Sequence, residues 1–177
     1  MVNDLLERAR KLEDVEAIKD ISCQYWRAID AKDPELLRDV FCPDEVYITF
    51  DDLPEWRCRD RFVKAYCSLS MDESRQENHL GMSPIIEVHS TESASGRWRL
   101  HMFGYNFATR IFIRVTGEYS MTYARIDGRW LVRSLVFKRH SLYSEAIGTE
   151  GAISVPDFGG ISPEAHAHLY GKKRDRT

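Results

Sequence analysis

Four side chains in this sequence have the chemistry for proton transfer on a small molecule: Tyr25 and Asp30 in "CQYWRAID", His79 in "QENHLGMSPIIEVHS", and Arg139 in "SLVFKRHSL". A neutral imidazole takes a proton. A carboxylate beside it fixes its tautomer, a phenol donates to a developing oxyanion, and a guanidinium clamps a carbonyl or carboxylate. Strand alternation puts His79 on the face of Gly81 and Ser83, with Leu80 and Met82 on the other, so one face is apolar and the other pairs an imidazole with small residues. Such residues either leave room for a ligand or open an ordinary core strand. Tyr25 lies in the apolar stripe of a helical segment, where a buried hydroxyl needs a partner. Asp30 follows about 7.5 Å farther along the helix axis, turned off the stripe. Arg139 closes a strand face of Leu131, Arg133, Leu135 and Phe137. Each has an ordinary structural counterpart: a satisfied core histidine, a packed tyrosine, a solvated helix-end aspartate, a surface arginine.

Positioning these groups requires particular elements. From Leu5 to about Ala31, Val15, Ile18, Ser22, Tyr25 and Ile29 repeat at three and four residues, the stripe of a long helix packed on one side. Asp33 as N-cap and Pro34 at the first position predict a second, short helix in "AKDPELLRDVF". "EVYITF" is a strand, and "CRDRFVKAYCSL" a third helix before the His79 segment. The period then changes. "IIEVHS", "SASGRWRLHMFGYNF", "ATRIFIRVTGEYSMTYARI" and "RWLVRSLVFKRHSL" predict a meander of antiparallel strands, broken at "STES", near Asn106 and at "DG". Helices followed by long strands make an α+β pattern, a curved sheet wrapping the N-terminal helix around a pocket. Residues 1–145 are expected to form this domain. Residues 146–177, with five glycines, two prolines and a basic end, are expected as a C-terminal arm with one short helix near "SPEAHAHLY".

Size and charge bound the function. The 177 residues suffice for one domain with a core, and a net charge of -3 from interspersed charges argues against nucleic acid as partner. No apolar run reaches the ~20 residues needed to cross a bilayer, and the charged N-terminus is no signal peptide, so a cytoplasmic protein without membrane association is expected. Cys23, Cys42, Cys58 and Cys67 have no metal-ligand spacing and are expected as free, mostly buried thiols. His166 and His168, two apart, share no helix face. Nothing resembles a phosphate-binding loop or dinucleotide fingerprint, so neither cofactor nor metal is expected. Phe103, Tyr105 and Phe112 on the outer sheet face predict a homo-oligomer, a dimer or trimer.

The segments "LEDVEAIKDISCQYWRAIDAKDPELLRDVFCPDEV", "NHLGMSPIIEVHSTESASGRWRL" and "GEYSMTYARIDGRWLVRSLVFKR" together resemble the SnoaL-like branch of the nuclear transport factor 2-like superfamily, over about residues 12 to 142. Within it the chain resembles the bile acid 7-alpha dehydratases, through a helical Y-x-R-x-x-D, an H-x-G-x-[ST]-P segment and a G-R-W strand. Scytalone dehydratases and the dehydrochlorinase of hexachlorocyclohexane degradation are similar at greater distance. The resemblance implies a cystatin-like α+β barrel: a cone-shaped, curved antiparallel sheet around the long helix, with a deep pocket. It also implies that Tyr25, Asp30 and His79 form the catalytic group, with Arg139 at the end of the last strand. Where those dehydratases carry an acidic residue after G-R-W, this chain has Met102.

The expected function is a cofactor-independent dehydratase or lyase, acting by general acid-base chemistry on a small hydrophobic polycyclic or aromatic hydroxy-carbonyl compound. An isomerase or cyclase using the same pocket, or a non-catalytic ligand-binding or assembly module, including the small subunit of a ring-hydroxylating oxygenase, is the alternative.

Overall fold

A computed structural model describes residues 2–51, 53–70, 72–147 and 153–157. The chain runs α1 (Val2–Asp30), α2 (Pro34–Val40), β1 (Tyr47–Phe50), α3 (Arg59–Ser70), β2 (Arg75–Val88), β3 (Ser93–Asn106), β4 (Ile111–Ile126), β5 (Arg129–Ala146) and β6 (Ile153–Asp157).

The apolar stripe of α1 packs as its spacing dictates: Ile18, Ser22, Tyr25 and Ile29 are all buried, joined by Trp26 and Ala28. The N-terminal turns of the helix project, leaving Leu5, Leu6 and Leu12 exposed. Its other end is fixed by a left-handed residue. Lys32 has φ 55°, the Asp33 N–H donates to the Ala28 carbonyl at 2.9 Å, and the Lys32 N–H to that of Ile29 at 3.1 Å, the pairing of a Schellman cap. Asp33 then caps α2, its Oδ1 accepting from the Glu35 and Leu36 N–H groups at 3.0 Å each, with Pro34 in the first turn. Asp30 is thereby held as the last residue of α1.

The strands lie in the order β1-β5-β4-β3-β2, with β6 also on β5. The four long strands are antiparallel, but β1 runs parallel to β5, pairing Tyr47 with Ser134 and Phe50 with Phe137, so the sheet is mixed rather than wholly antiparallel. The His79 strand begins at Arg75, earlier than the apolar run in the sequence. At "DG" the chain reverses through two left-handed residues, Asp127 at φ 50° and Gly128 at φ 78°, as a two-residue hairpin requires. At the break near Asn106 its side-chain oxygen accepts from the N–H groups of Ala108 and Thr109, at 3.0 Å each. The arm adds β6 antiparallel to β5, from Leu142 opposite Asp157 to Ala146 opposite Ile153. The helix expected near "SPEAHAHLY", and His166 and His168, lie outside the described residues.

Bulges decide which side chains face the concave side. Register shifts occur between Met82 and Ile85 on β2, and between Thr116 and Gly117 and between Thr122 and Tyr123 on β4, opposite an extra residue on β5 each time. An extra residue re-phases the strand beyond it. Arg133 is therefore turned out to solvent although Leu135, Phe137 and Arg139 point in. Past His140 the inward positions become Leu142 and Ser144. The uninterrupted row from Leu131 to Arg139 does not exist.

The core lies between α1 and the concave sheet face. Trp26 meets Trp98 edge-on at 5.0 Å between ring centres, and Tyr25 meets Tyr119 at 5.9 Å. The Trp98 indole donates to the Tyr123 hydroxyl at 3.0 Å, which also lies 2.8 Å from Ser22 Oγ, tying α1 to the sheet.

The structure decides between the two readings left open for the His79 strand. Gly81 makes room for a core side chain, not for a ligand: a Cβ there would stand 1.9 Å from Trp26 Cη2. The apolar face of the strand is the outer one, with Leu80, Met82 and Ile85 exposed by 47, 41 and 53%. The cysteines are free, but only Cys42 is buried, and Cys23 is exposed.

Candidate active site

Between α1 and the sheet lies a cavity of about 760 Å³. Its wall is mostly apolar and aromatic: Ile29 and Tyr25 from α1, Phe50 and Trp56 from β1 and the loop after it, Phe137 and Leu142 from β5.

Asp30 and His79 meet at one side of it. The Asp30 carboxylate uses both oxygens on one residue: Oδ1 is 2.7 Å from His79 Nδ1, and Oδ2 accepts from the His79 backbone N–H at 3.0 Å. An ionised carboxylate only accepts, so Nδ1 carries a proton, and in the neutral imidazole the lone pair is on Nε2. His79 lines the cavity with its side chain 8% exposed. Asp30 sits behind it at 28%. A carboxylate at a helix C-terminus faces the negative end of the helix dipole, an unfavourable place worth about 0.3–1 kcal/mol. Here the paired hydrogen bonds to His79 offset that cost.

Tyr25 also lines the cavity and is fully buried. The Tyr119 hydroxyl stands near enough to weigh on its ionisation, but Tyr25 Oη has no partner in hydrogen-bonding geometry among the described residues. Burial, and then the neighbouring phenols of Tyr119 and Tyr66, hold its pKa well above the usual tyrosine range. Burial raises that of Tyr119 as well. Both remain O–H donors at any physiological pH.

Arg139 lines the cavity from β5. Its backbone N–H donates to Asp51 Oδ2 at 2.8 Å, and Asp51, at φ 32° just past β1, returns its own N–H to the Phe137 carbonyl at 3.2 Å. The end of β1 thus pins the stretch of β5 that carries Arg139.

All four residues singled out by sequence border or support this one cavity. Sequence reasoning missed Glu77 and Arg75, which precede His79 at alternate positions, and Tyr119 on β4. Alternation through "RQENH" identifies the first two once the strand is begun at Arg75 rather than at the apolar run. Tyr105, expected on the outer face, contributes to the cavity wall, and Phe103 and Phe112 are half-buried. Met102 registers directly opposite His79 and lines the cavity, an apolar contact in place of an acidic one. Among the described residues no three His, Cys, Asp or Glu gather as a metal site.

A long helix seated in a bent, mixed sheet, with a histidine–aspartate pair at the wall of an apolar-lined chamber, defines the α+β cone of the nuclear transport factor 2-like proteins. The chain belongs to the SnoaL-like domain family, whose match spans residues 10–136. Its fold is similar to that of a candidate scytalone dehydratase from Novosphingobium aromaticivorans, with TM-score 0.69, 19% identity, and coverage of 80% of this chain and 93% of that one. It is also similar to a type 3 hexachlorocyclohexane dehydrochlorinase from Novosphingobium barchaimii, with TM-score 0.67, 15% identity and coverage of 86 and 97%. A protein of unknown function from Mycobacterium tuberculosis has TM-score 0.65, 19% identity and 74% coverage of each chain. Likeness at these identities establishes the fold.

Proposed function

We propose that this protein is a cofactor-independent lyase that eliminates water from a small hydrophobic, polycyclic or aromatic hydroxy-carbonyl compound. The observation carrying this reading is the Asp30–His79 pair in the cavity wall, with Nδ1 taken by the carboxylate and Nε2 left as the basic nitrogen. Nε2 takes the proton alpha to the substrate carbonyl, and the C–H electron pair moves into the enolate. Asp30 stabilises the imidazolium that forms. Tyr25, locked as a neutral phenol, donates to the enolate oxygen. The enolate re-forms the carbonyl, the carbon–oxygen bond to the beta hydroxyl breaks, and the imidazolium proton leaves with that hydroxyl as water. Arg139 holds a second polar group of the substrate. A placed base supplies about 10²–10⁴-fold and an oxyanion donor about 10²–10³-fold. Names of the structural relatives, a dehydratase and a dehydrochlorinase among them, favour elimination.

The test is a panel of beta-hydroxy ketones on aromatic and polycyclic frames, incubated with wild type and His79→Ala and read by mass spectrometry. Loss of water with wild type and none with the variant supports the reading. A product of unchanged mass that depends on His79 assigns isomerisation instead, and equal turnover by both proteins removes the histidine from the mechanism.

The exposed Leu80, Met82 and Ile85 on the edge strand β2 favour self-association of this chain into a dimer or trimer.

A further inference from the structure

Among the described residues, one carboxylate in the cavity wall has no protein partner. Glu77 stands two residues before His79 on the same inward face of β2 and is half-buried. Its stem lies across Gly104 of β3, where an added Cβ would come within 3.0 Å of Glu77 Cγ, so the missing side chain is what gives Glu77 its place. Among the described residues no hydrogen bond or ion pair engages its carboxylate, whereas Arg75 and Arg139 on the same wall already interact within the protein. Its charge, like that of Asp30, weighs on the buried Tyr119 phenol.

A half-buried carboxylate without donors is costly unless something in the cavity supplies them. Among the described residues the wall thus presents a donor without a partner in hydrogen-bonding geometry, the Tyr25 hydroxyl beside Tyr119, and an unpartnered acceptor, Glu77, with the His79 imidazole in the same chamber. Successive inward positions on a strand are about 6.4–6.8 Å apart, roughly the span from a reacting carbon on one ring of a fused pair to a hydroxyl on the far edge of the other. The two wall arginines and the two wall carboxylates, Asp51 and Glu77, cancel in formal charge, so no net field invites an anion.

We propose that Glu77 is the specificity-determining acceptor of this cavity: it holds a hydroxyl of a neutral hydroxy-carbonyl substrate and discriminates against compounds carrying a carboxylate there. This rests on the lyase reading for the identity of the substrate, but the recognition step is measurable without any turnover. A charged acceptor pairing with a hydroxyl contributes about tenfold or more in affinity. The same charge repels a carboxylate placed against it.

The experiment is calorimetric titration at neutral pH with two probes of one shape, 2-naphthol and 2-naphthoate. It uses wild type, Glu77→Leu and Glu77→Gln, with circular dichroism melts on each. Wild type is expected to bind 2-naphthol about tenfold more tightly than 2-naphthoate, and Glu77→Leu to lose that preference by weakening for the naphthol. Glu77→Gln, which keeps the shape without the charge, is expected to bind 2-naphthoate more tightly than wild type does, and it decides the matter if the leucine variant does not fold. An unchanged preference in either folded variant overturns the proposal, as does a wild type that binds 2-naphthoate equally well or saturates with neither probe. Because the probes have no leaving group, loss of the preference rule with water elimination intact refutes Glu77 alone. A preserved rule with no elimination from any panel compound refutes the lyase reading alone.

Discussion

Replacing Asp30 by asparagine separates orientation of His79 from mere contact with it. The carboxylate accepts twice from one residue, at 2.7 Å from Nδ1 and 3.0 Å from the backbone N–H. Asparagine has one acceptor oxygen and one NH₂ in the same volume, so one of the two partners must face a donor. If the NH₂ faces the backbone N–H, two donors oppose each other at about hydrogen-bond distance. If it faces Nδ1, the ring shifts to the tautomer protonated on Nε2, which removes the base from the cavity. The second arrangement keeps every hydrogen bond and is the one expected. Exchanging a charged acceptor for a neutral one loses about 1–1.5 kcal/mol per hydrogen bond, about 2–3 for the two, and relief of a carboxylate at the helix C-terminus returns about 0.3–1, a net loss of roughly 1–3 kcal/mol. That lowers the melting temperature by about 2–12 °C for a chain of this size. Turnover is expected to fall by about 10²–10⁴, far more than the stability change accounts for. The assay combines kcat on an established substrate with nitrogen NMR of the imidazole, which reports the tautomer without substrate. Turnover within about threefold of wild type, in a variant whose ring has changed tautomer, refutes the argument that Nε2 acts as base.

Gly81→Ala is expected to destabilise by about 1–3 kcal/mol, seen in a denaturant melt, because its Cβ would meet the Trp26 ring at 1.9 Å. Alkaline stability follows from the buried phenols: Tyr123 is pushed up to about 12 by burial, from an ordinary 10.0. The unfolded chain releases these protons near pH 10 while the folded chain holds them, so stability is level below that pH and declines as pH rises from about 10 to 12. Phenolate absorbance rising in step with loss of near-ultraviolet dichroism checks this, and free titration of all eight tyrosines in the native state contradicts it. Sedimentation at micromolar concentration is expected to give a dimer or trimer, and Leu80→Glu with Ile85→Glu to shift it toward monomer. A monomeric wild type removes the claim.

Much of the architecture was legible because local rules wrote it. The α1 stripe survives as Ile18, Ser22, Tyr25 and Ile29, all buried, because a helix repeats its faces whatever it packs against. Asp33 and Pro34 begin α2 where capping chemistry places them. The hairpin at Asp127 and Gly128 needs two left-handed residues, and that composition is visible in any sequence.

Only the tertiary structure decided which faces are inside. On β2 the apolar residues Leu80 and Met82 point to solvent while Glu77 and His79 point in, the reverse of what hydrophobicity implies, because α1 covers the other face and Trp26 fills the space above Gly81. On β5 the extra residues at Arg133 and His140 re-phase the strand twice, so parity counted along the sequence fails past each bulge. Asp30 and His79 are separated by 49 residues. Their pairing rests on the Schellman turn that ends α1 and on β2 running past that end, a meeting of two surfaces that neither segment encodes alone.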